Sequence, residues 1–144
     1  MNRAALIALA AGDAVAAPAA ASATMAYVTA PRNINSRPQV MVANDNGTGA
    51  RSIGTGMSAV ISPDGARVAY QATSTAPGSD FEGQLVDLAS GTTVSLGTAC
   101  VGPLTWSPDS KWIACQTQSV NARDEVTGNG LGLISVPASV AGAS

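Results

Sequence analysis

From Met25 onward the chain falls into short apolar runs, each set between clusters of Gly, Pro, Asn, Asp and Ser. The runs are rich in Val, Ile and other strand formers, and about four to eight residues is the usual length of such a strand. This patterning predicts an all-β chain after residue 23, with strands centred near Val28, Val42, Ile53, Val60, Val68, Val86, Val94, Leu104, Ile113 and Ile134.

The runs repeat. "ISPDGARVAY" (Ile61–Tyr70) and "TWSPDSKWIAC" (Thr105–Cys115) superpose at a shift of 45: Ser62, Pro63 and Asp64 fall on Ser107, Pro108 and Asp109. Val68 then falls on Ile113, Ala69 on Ala114, Tyr70 on Cys115 and Gln71 on Gln116. Each copy reads as a structural turn between two strands. Pro63 supplies the φ wanted at the second position of a type I turn, Ser62 suits the first, and Gly65 takes the left-handed conformation that closes the loop. Ser110 stands where Gly65 stands in the first copy, a costlier choice. "QVMVANDNGTGARSIG" (Gln39–Gly54) and "QLVDLASGTTVSLG" (Gln84–Gly97) share a second pattern of strand, Gly-containing turn and strand. "MAYVTA" at Met25 and "LGLISVPAS" at Leu131 begin further copies of the two patterns.

A period of ~40–45 residues is that of a four-stranded propeller blade. With the strands of a blade lettered a to d, the chain reads b-c-d, a-b-c-d, a-b-c: an incomplete β-propeller of about two and a half four-stranded antiparallel blades over residues 24–144. "SPDGARVAY" and "WSPDSKWIAC", each followed by a strand ending in a turn such as "DLASG" or "ANDNGTG", resemble the TolB-type, WD-repeat-like β-propeller. The resemblance covers Met25 to about Ser139. It implies a repeat module for protein or ligand binding at the cell envelope, as in periplasmic TolB-like proteins. As the second choice, it admits the N-terminal part of the propeller domain of a prolyl-oligopeptidase-like peptidase. Closed propellers use about four to eight blades, so the expected partial ring leaves blade edges open to self-association. A stable closed monomer is therefore not expected.

Residues 1–23 differ in character. Arg3, the apolar stretch Ala4–Ala11 and Ala21-Ser22-Ala23 have the layout of a secretory signal, although Asp13 is out of place in it. The reading is a signal peptide or an Ala-rich leader, and with it a secreted, periplasmic or envelope location. The apolar run is far shorter than the ~20 residues of a membrane span. Net charge is −2, and Lys111 and the arginines are scattered, which argues against nucleic acid as a partner. Another protein or a ligand of unknown class remains.

Composition also limits chemistry. Histidine is absent, so Ser-His-Asp and Cys-His constellations cannot arise within this chain, and no G-x-S-x-G is present. The two cysteines alone do not make a zinc site. "NDNGTG" (Asn44–Gly49) lacks the alternating ligands and distant Glu of a calcium loop and reads as a hairpin turn. Within it Asn46-Gly47-Thr48 is a glycosylation sequon, relevant in a eukaryotic secretory route. Trp106 and Trp112 flank the second turn and read as packing residues. We accordingly assign no catalytic, cofactor-binding or metal-ligating residue, expect no cofactor, and read the chain as non-enzymatic.

The b–c connections are the long ones: Pro31–Arg37, Thr73–Gly83 and Gln118–Gly130. They carry Arg32, Arg37, Asp80, Glu82, Arg123, Asp124 and Glu125, and stacked insertions on one face of a repeat protein often form its binding side. Simple solvation of charged loops is the competing account, and a glycosidase-like pair from Asp80/Glu82 and Asp124/Glu125 a remote one. Finally, a hairpin turning at Pro108-Asp109 sets Cys115 opposite Pro103 and brings Cys100 within a few residues of it. The pair is expected to lie close, bonded if the chain is exported and two buried thiols otherwise.

Overall fold

The Ser-Pro-Asp turns close by the hydrogen bonds their side chains permit. In the first, the Gly65 N–H donates to the Ser62 carbonyl (2.8 Å), with Gly65 at φ 70°. The Ser62 hydroxyl donates to Asp64 (2.5 Å) and accepts the Arg67 N–H (2.9 Å). The second repeats this atom for atom: Ser107 donates to Asp109 (2.6 Å) and accepts the Trp112 N–H (2.9 Å). Side chains that bind their own backbone a few residues on are what make Ser and Asp turn residues.

These turns belong to a computed structural model that describes residues 25–31, 33, 36–73, 81–97, 100–121, 123 and 126–137. The leader reading, residues 1–23, lies outside them. The strands are β1 (Met25–Val28), β2 (Gln39–Ala43), β3 (Arg51–Thr55), β4 (Met57–Ile61), β5 (Arg67–Thr73), β6 (Phe81–Asp87), β7 (Thr93–Gly97), β8 (Cys100–Trp106), β9 (Trp112–Val120) and β10 (Val126–Ser135). All pairings are antiparallel between sequence neighbours, giving three sheets: β1-β2-β3, β4-β5-β6-β7 and β10-β9-β8. The chain is all-β among the described residues and forms b-c-d, a-b-c-d and a-b-c blades that do not close into a ring.

Two connections are shorter than their sequence suggests. Glu82 and Gly83 lie within β6, paired with Ala72 and Gln71, so β5 and β6 run further into the expected connection than the sequence suggests. In the third blade Gly128, Asn129 and Gly130 pair with Ser119, Gln118 and Thr117. That glycine-rich stretch reads as loop, but β9 already presents a free edge and a flexible backbone can follow it.

The core lies between the sheets. One cluster joins Val40 and Val42 of β2 to Val68 and Tyr70 of β5, Val86 of β6 and Leu88. The other joins Ala69 and Leu85 of the middle sheet to Cys100, Leu104, Ile113 and Cys115 of the third. Alternation along β5 explains the division: Val68 and Tyr70 face the first sheet, Ala69 the third. Leu85 and Ile113 are fully buried, worth roughly 1.5–3 kcal/mol each on burial. Tyr70 lies where β3 has Gly54, at which any Cβ would overlap its ring and hydroxyl. In the third blade Cys115, at the matching position, is joined to Cys100 by a disulfide with the Cα atoms 5.5 Å apart.

Candidate functional site

The two ends of the sheet stack differ. At one end lie the tight a–b and c–d turns, cross-linked between blades. The Asp64 N–H donates to the Ser110 hydroxyl of the next blade's turn (3.1 Å). The Leu88 N–H donates to Ala66 O (2.9 Å), and in the third blade the Val136 N–H donates to Lys111 O (2.8 Å). Arg51, at the start of β3, reaches the Leu88 carbonyl (3.1 Å), and Arg67 pairs with Asp87 (3.8 Å). The Trp106 indole donates to Val60 O (3.1 Å). Of these contacts, Arg51–Leu88 joins the first blade to the second, and Asp64–Ser110 and Trp106–Val60 join the second to the third, while the others brace single blades.

The acidic groups at the turn end are occupied locally. The Ser62 hydroxyl, then the Ala66 N–H and the Arg67 charge, hold Asp64 below the usual carboxylate range against a smaller opposing effect of burial. Asp87 is held down by the Ser90 N–H and hydroxyl and the Ala89 N–H, and Asp109 by the Ser107 hydroxyl and the Lys111 N–H. These carboxylates are turn-builders. "NDNGTG" behaves likewise: Asn46 accepts the Thr48 N–H (3.0 Å) and hydroxyl (2.7 Å), and the Asn44 amide donates to Thr48 (3.0 Å).

At the other end the chain leaves β1, β5 and β9, and of the b–c connections there residues 29–31, 33, 36–38, 121 and 123 are described. Of the charged residues singled out there, Arg37 and Arg123 are exposed and share this end, one in the first connection and one in the third. Glu82 is half-buried on β6 and accepts a hydrogen bond from the Ser95 hydroxyl of β7, so it braces its own blade. Arg32, Asp80, Asp124 and Glu125 lie outside the described residues. Local bonds shape the connections: the Asn33 N–H donates to the Ser36 hydroxyl (2.9 Å) and the Arg123 N–H to the Asn121 side chain (2.8 Å). Among the described residues no group of three or more His, Cys, Asp or Glu could hold a metal ion. Among the same residues no helix is long and apolar enough to cross a membrane.

Sequence reasoning missed the links between turns. The signal that could have found one of them is Ser110 standing where the first copy has Gly65, at a position of φ 59° where glycine is cheaper.

No family model matches the chain. No curated protein matches it either. Solved structures do. TolB from Acinetobacter baumannii superposes with a TM-score of 0.59 at 20% identity, over 76% of this chain and 27% of TolB. The β-propeller domain of the Trilobed protease from Pyrococcus furiosus, which has an open velcro topology, gives 0.55 at 20% identity, over 74% of this chain and 38% of that one. The acylaminoacyl peptidase of Pyrococcus horikoshii gives 0.52 at 14% identity, over 74% and 25% respectively. The chain thus has the fold of a partial TolB-like propeller and spans well under half the length of these proteins.

Proposed function

We propose that this chain is an exported, non-enzymatic propeller module that binds a protein or ligand at the cell envelope through its b–c loop end. The asymmetry of the two ends carries the reading. The turn end ties the Asp64, Asp87 and Asp109 carboxylates into local turns and links to the neighbouring blade, whereas the loop end carries Arg37 and Arg123 exposed in two of its connections. Long loops on a rigid scaffold are where binding residues concentrate. The signal-like leader supports export, and the bonded cysteines suit an oxidising compartment. A photo-crosslinking residue placed at Arg37 or Arg123, compared with one at Asp45 or Ala89 on the turn end, tests this in cells. Adducts from the loop end alone are expected; adducts from the turn end alone, or a chain retained in the cytoplasm with its leader intact, would overturn it.

A second reading has its own observation, because two of the structural neighbours belong to peptidases. On that reading the chain is part of a peptidase's propeller domain. Genomic sequence beyond Ser144 separates the two: further blades alone favour the binder, and a G-x-S-x-G followed by Asp and His favours the peptidase.

A further inference from the structure

Asn-Gly occurs twice in this chain, at Asn46-Gly47 and at Asn129-Gly130, and the fold treats the two copies differently. Glycine after asparagine leaves its amide nitrogen unshielded, because no Cβ stands beside it. If that nitrogen bonds to the asparagine side-chain carbon, a five-membered ring closes. Both pairs are exposed, so exposure does not separate them. Their backbones do. Asn46-Gly47 lies in the β2–β3 turn, with Gly47 at φ 77° and nothing within 4 Å of a Cβ built on it. The Thr48 N–H (3.0 Å) and hydroxyl (2.7 Å) both donate to Asn46 Oδ1, the oxygen that gains negative charge when its carbon is attacked. One bond, from the Gly47 N–H to the Asn44 carbonyl (2.9 Å), holds the nitrogen back. Asn129-Gly130 lies inside β10, where Gly128, Asn129 and Gly130 pair in register with Ser119, Gln118 and Thr117. The Asn129 side chain takes a hydrogen bond from Gln118 (3.4 Å), and a Cβ at Gly130 would crowd the Thr117 hydroxyl. Bringing the Asn129 side-chain carbon onto the Gly130 nitrogen requires this stretch to leave β9. Neighbouring blades do not cover such a turn. In the second blade, packed on both faces, the Gly91 N–H donates to Asp87 O and the Asp87 N–H to Thr92 O, as Gly47 does to Asn44 and Asn44 to Thr48. Ser90 and Gly91, which match Asn46 and Gly47, are exposed there as well.

We propose that Asn46 is a site of spontaneous deamidation in the folded chain and that Asn129 is not. The Gly47 nitrogen gives its proton to solvent base and bonds to Asn46 Cγ. The bond from Cγ to Nδ2 breaks, and the side-chain nitrogen leaves as ammonia, taking a proton from water. Water then opens the cyclic imide at either of its two carbonyls, leaving an ordinary Asp or a β-linked Asp at position 46. Amide and water become acid and ammonia, and nothing is oxidised or reduced. The β-linked product lengthens the backbone by one carbon inside a turn that closes through Asn44 and Thr48, and both products add a negative charge beside Asp45. The turn end thus carries a residue whose chemistry changes with time, and this does not rest on the binding reading above.

Peptide mapping by mass spectrometry of the full chain, held folded in mildly alkaline buffer, tests it. Asn46 should convert at least ~10-fold faster than Asn129, because the strand must open more hydrogen bonds than the turn before its ring can close. In urea the two should convert at similar rates. Asn46→Gln, whose longer side chain closes a less favourable ring, should stay unconverted. Gly47→Ala should slow conversion at Asn46 in urea, where the backbone angle of the turn plays no part. Equal rates in the folded chain, or a faster Asn129, overturn the proposal. So does a folded chain in which neither residue converts while both do in urea. Ammonia lost at Asn46 with no β-linked Asp formed overturns the attack by Gly47.

Discussion

Ser110 tests whether the cross-linked turn end contributes to stability. The residue sits at φ 59°, a region that costs a non-glycine residue roughly 1–2 kcal/mol. Its hydroxyl accepts the Asp64 N–H at 3.1 Å, a neutral hydrogen bond worth about 1 kcal/mol net. Ser110→Ala keeps the strain and loses the bond, so it should destabilise the chain by about 1 kcal/mol. Ser110→Gly loses the bond, releases the strain and adds unfolded-state entropy of about 0.5–1 kcal/mol, so it should land near the parent. Gly65→Ala, at φ 70°, adds strain with no new partner and should cost about 1–2 kcal/mol. Urea unfolding with a common slope resolves such differences through the midpoint. If Ser110→Ala matches the parent, the link between turns carries no stability. If the glycine variant falls as far as the alanine one, the strain is not there.

Other expectations follow from packing, covalent linkage and charge. Leu85→Ala should cost about 2–5 kcal/mol by opening a cavity between the second and third sheets, read as a lowered midpoint. At Gly56 an added Cβ would overlap the Gln71 carbonyl oxygen and crowd the Tyr70 ring, so Gly56→Ala should destabilise by up to about 3 kcal/mol, whereas Gly128→Ala, with open space around it, should be near neutral. Reducing Cys100–Cys115, 15 positions apart in sequence, should remove up to about 3 kcal/mol; equal midpoints with and without reductant would show the bond to be idle. Asp64, Asp87 and Asp109 titrate below their ordinary values in the folded chain, so their contribution is present above the unfolded carboxylate pKa of about 3.9 and is lost as pH falls through the folded values. A midpoint that is flat from pH 8 to 5 and drops below about 4 is expected, with a shallower drop in Asp64→Asn; no drop at all would contradict the turn geometry.

Strand positions were legible because the chain alternates apolar and polar residues between Gly, Pro and Asp turns, and every expected centre from Val28 to Ile134 lies in a strand. The period of 45 carried the blade grouping, since Ser62 and Ser107 perform the same two hydrogen bonds. What escaped was partnering. Nothing in the string "EGQ" says that Glu82 is already in β6 and bonded to Ser95, because solvated and bracing carboxylates look alike in sequence. The glycines at 128 and 130 argued for loop, and only the free edge of β9 makes them strand. Arg37 and Arg123 were legible as exposed residues of connections, and nothing in their spacing names a chemistry.

The repeat also supplies its own comparisons, because equivalent positions hold different residues in the same surroundings. Between the first two sheets the space beside β5 is filled by bulk: Tyr70 reaches over Gly54, and the glycine is needed because no Cβ fits under the ring. Between the second and third sheets the equivalent of Tyr70 is Cys115, too small to reach across. There β8 supplies Cys100, buried with Leu85 and Ile113, and its bond to Cys115 ties β8 to β9 within the third sheet. A large side chain reaching the neighbouring blade and a covalent bond within a blade thus occupy the matching positions Tyr70 and Cys115. They predict opposite tolerances: Tyr70→Cys alone would leave a cavity, and Cys115→Tyr alone would meet Cys100. Each interface therefore depends on a pair of residues rather than on one, which is why a repeat visible at Ser-Pro-Asp is nearly invisible at the contacts that join the blades.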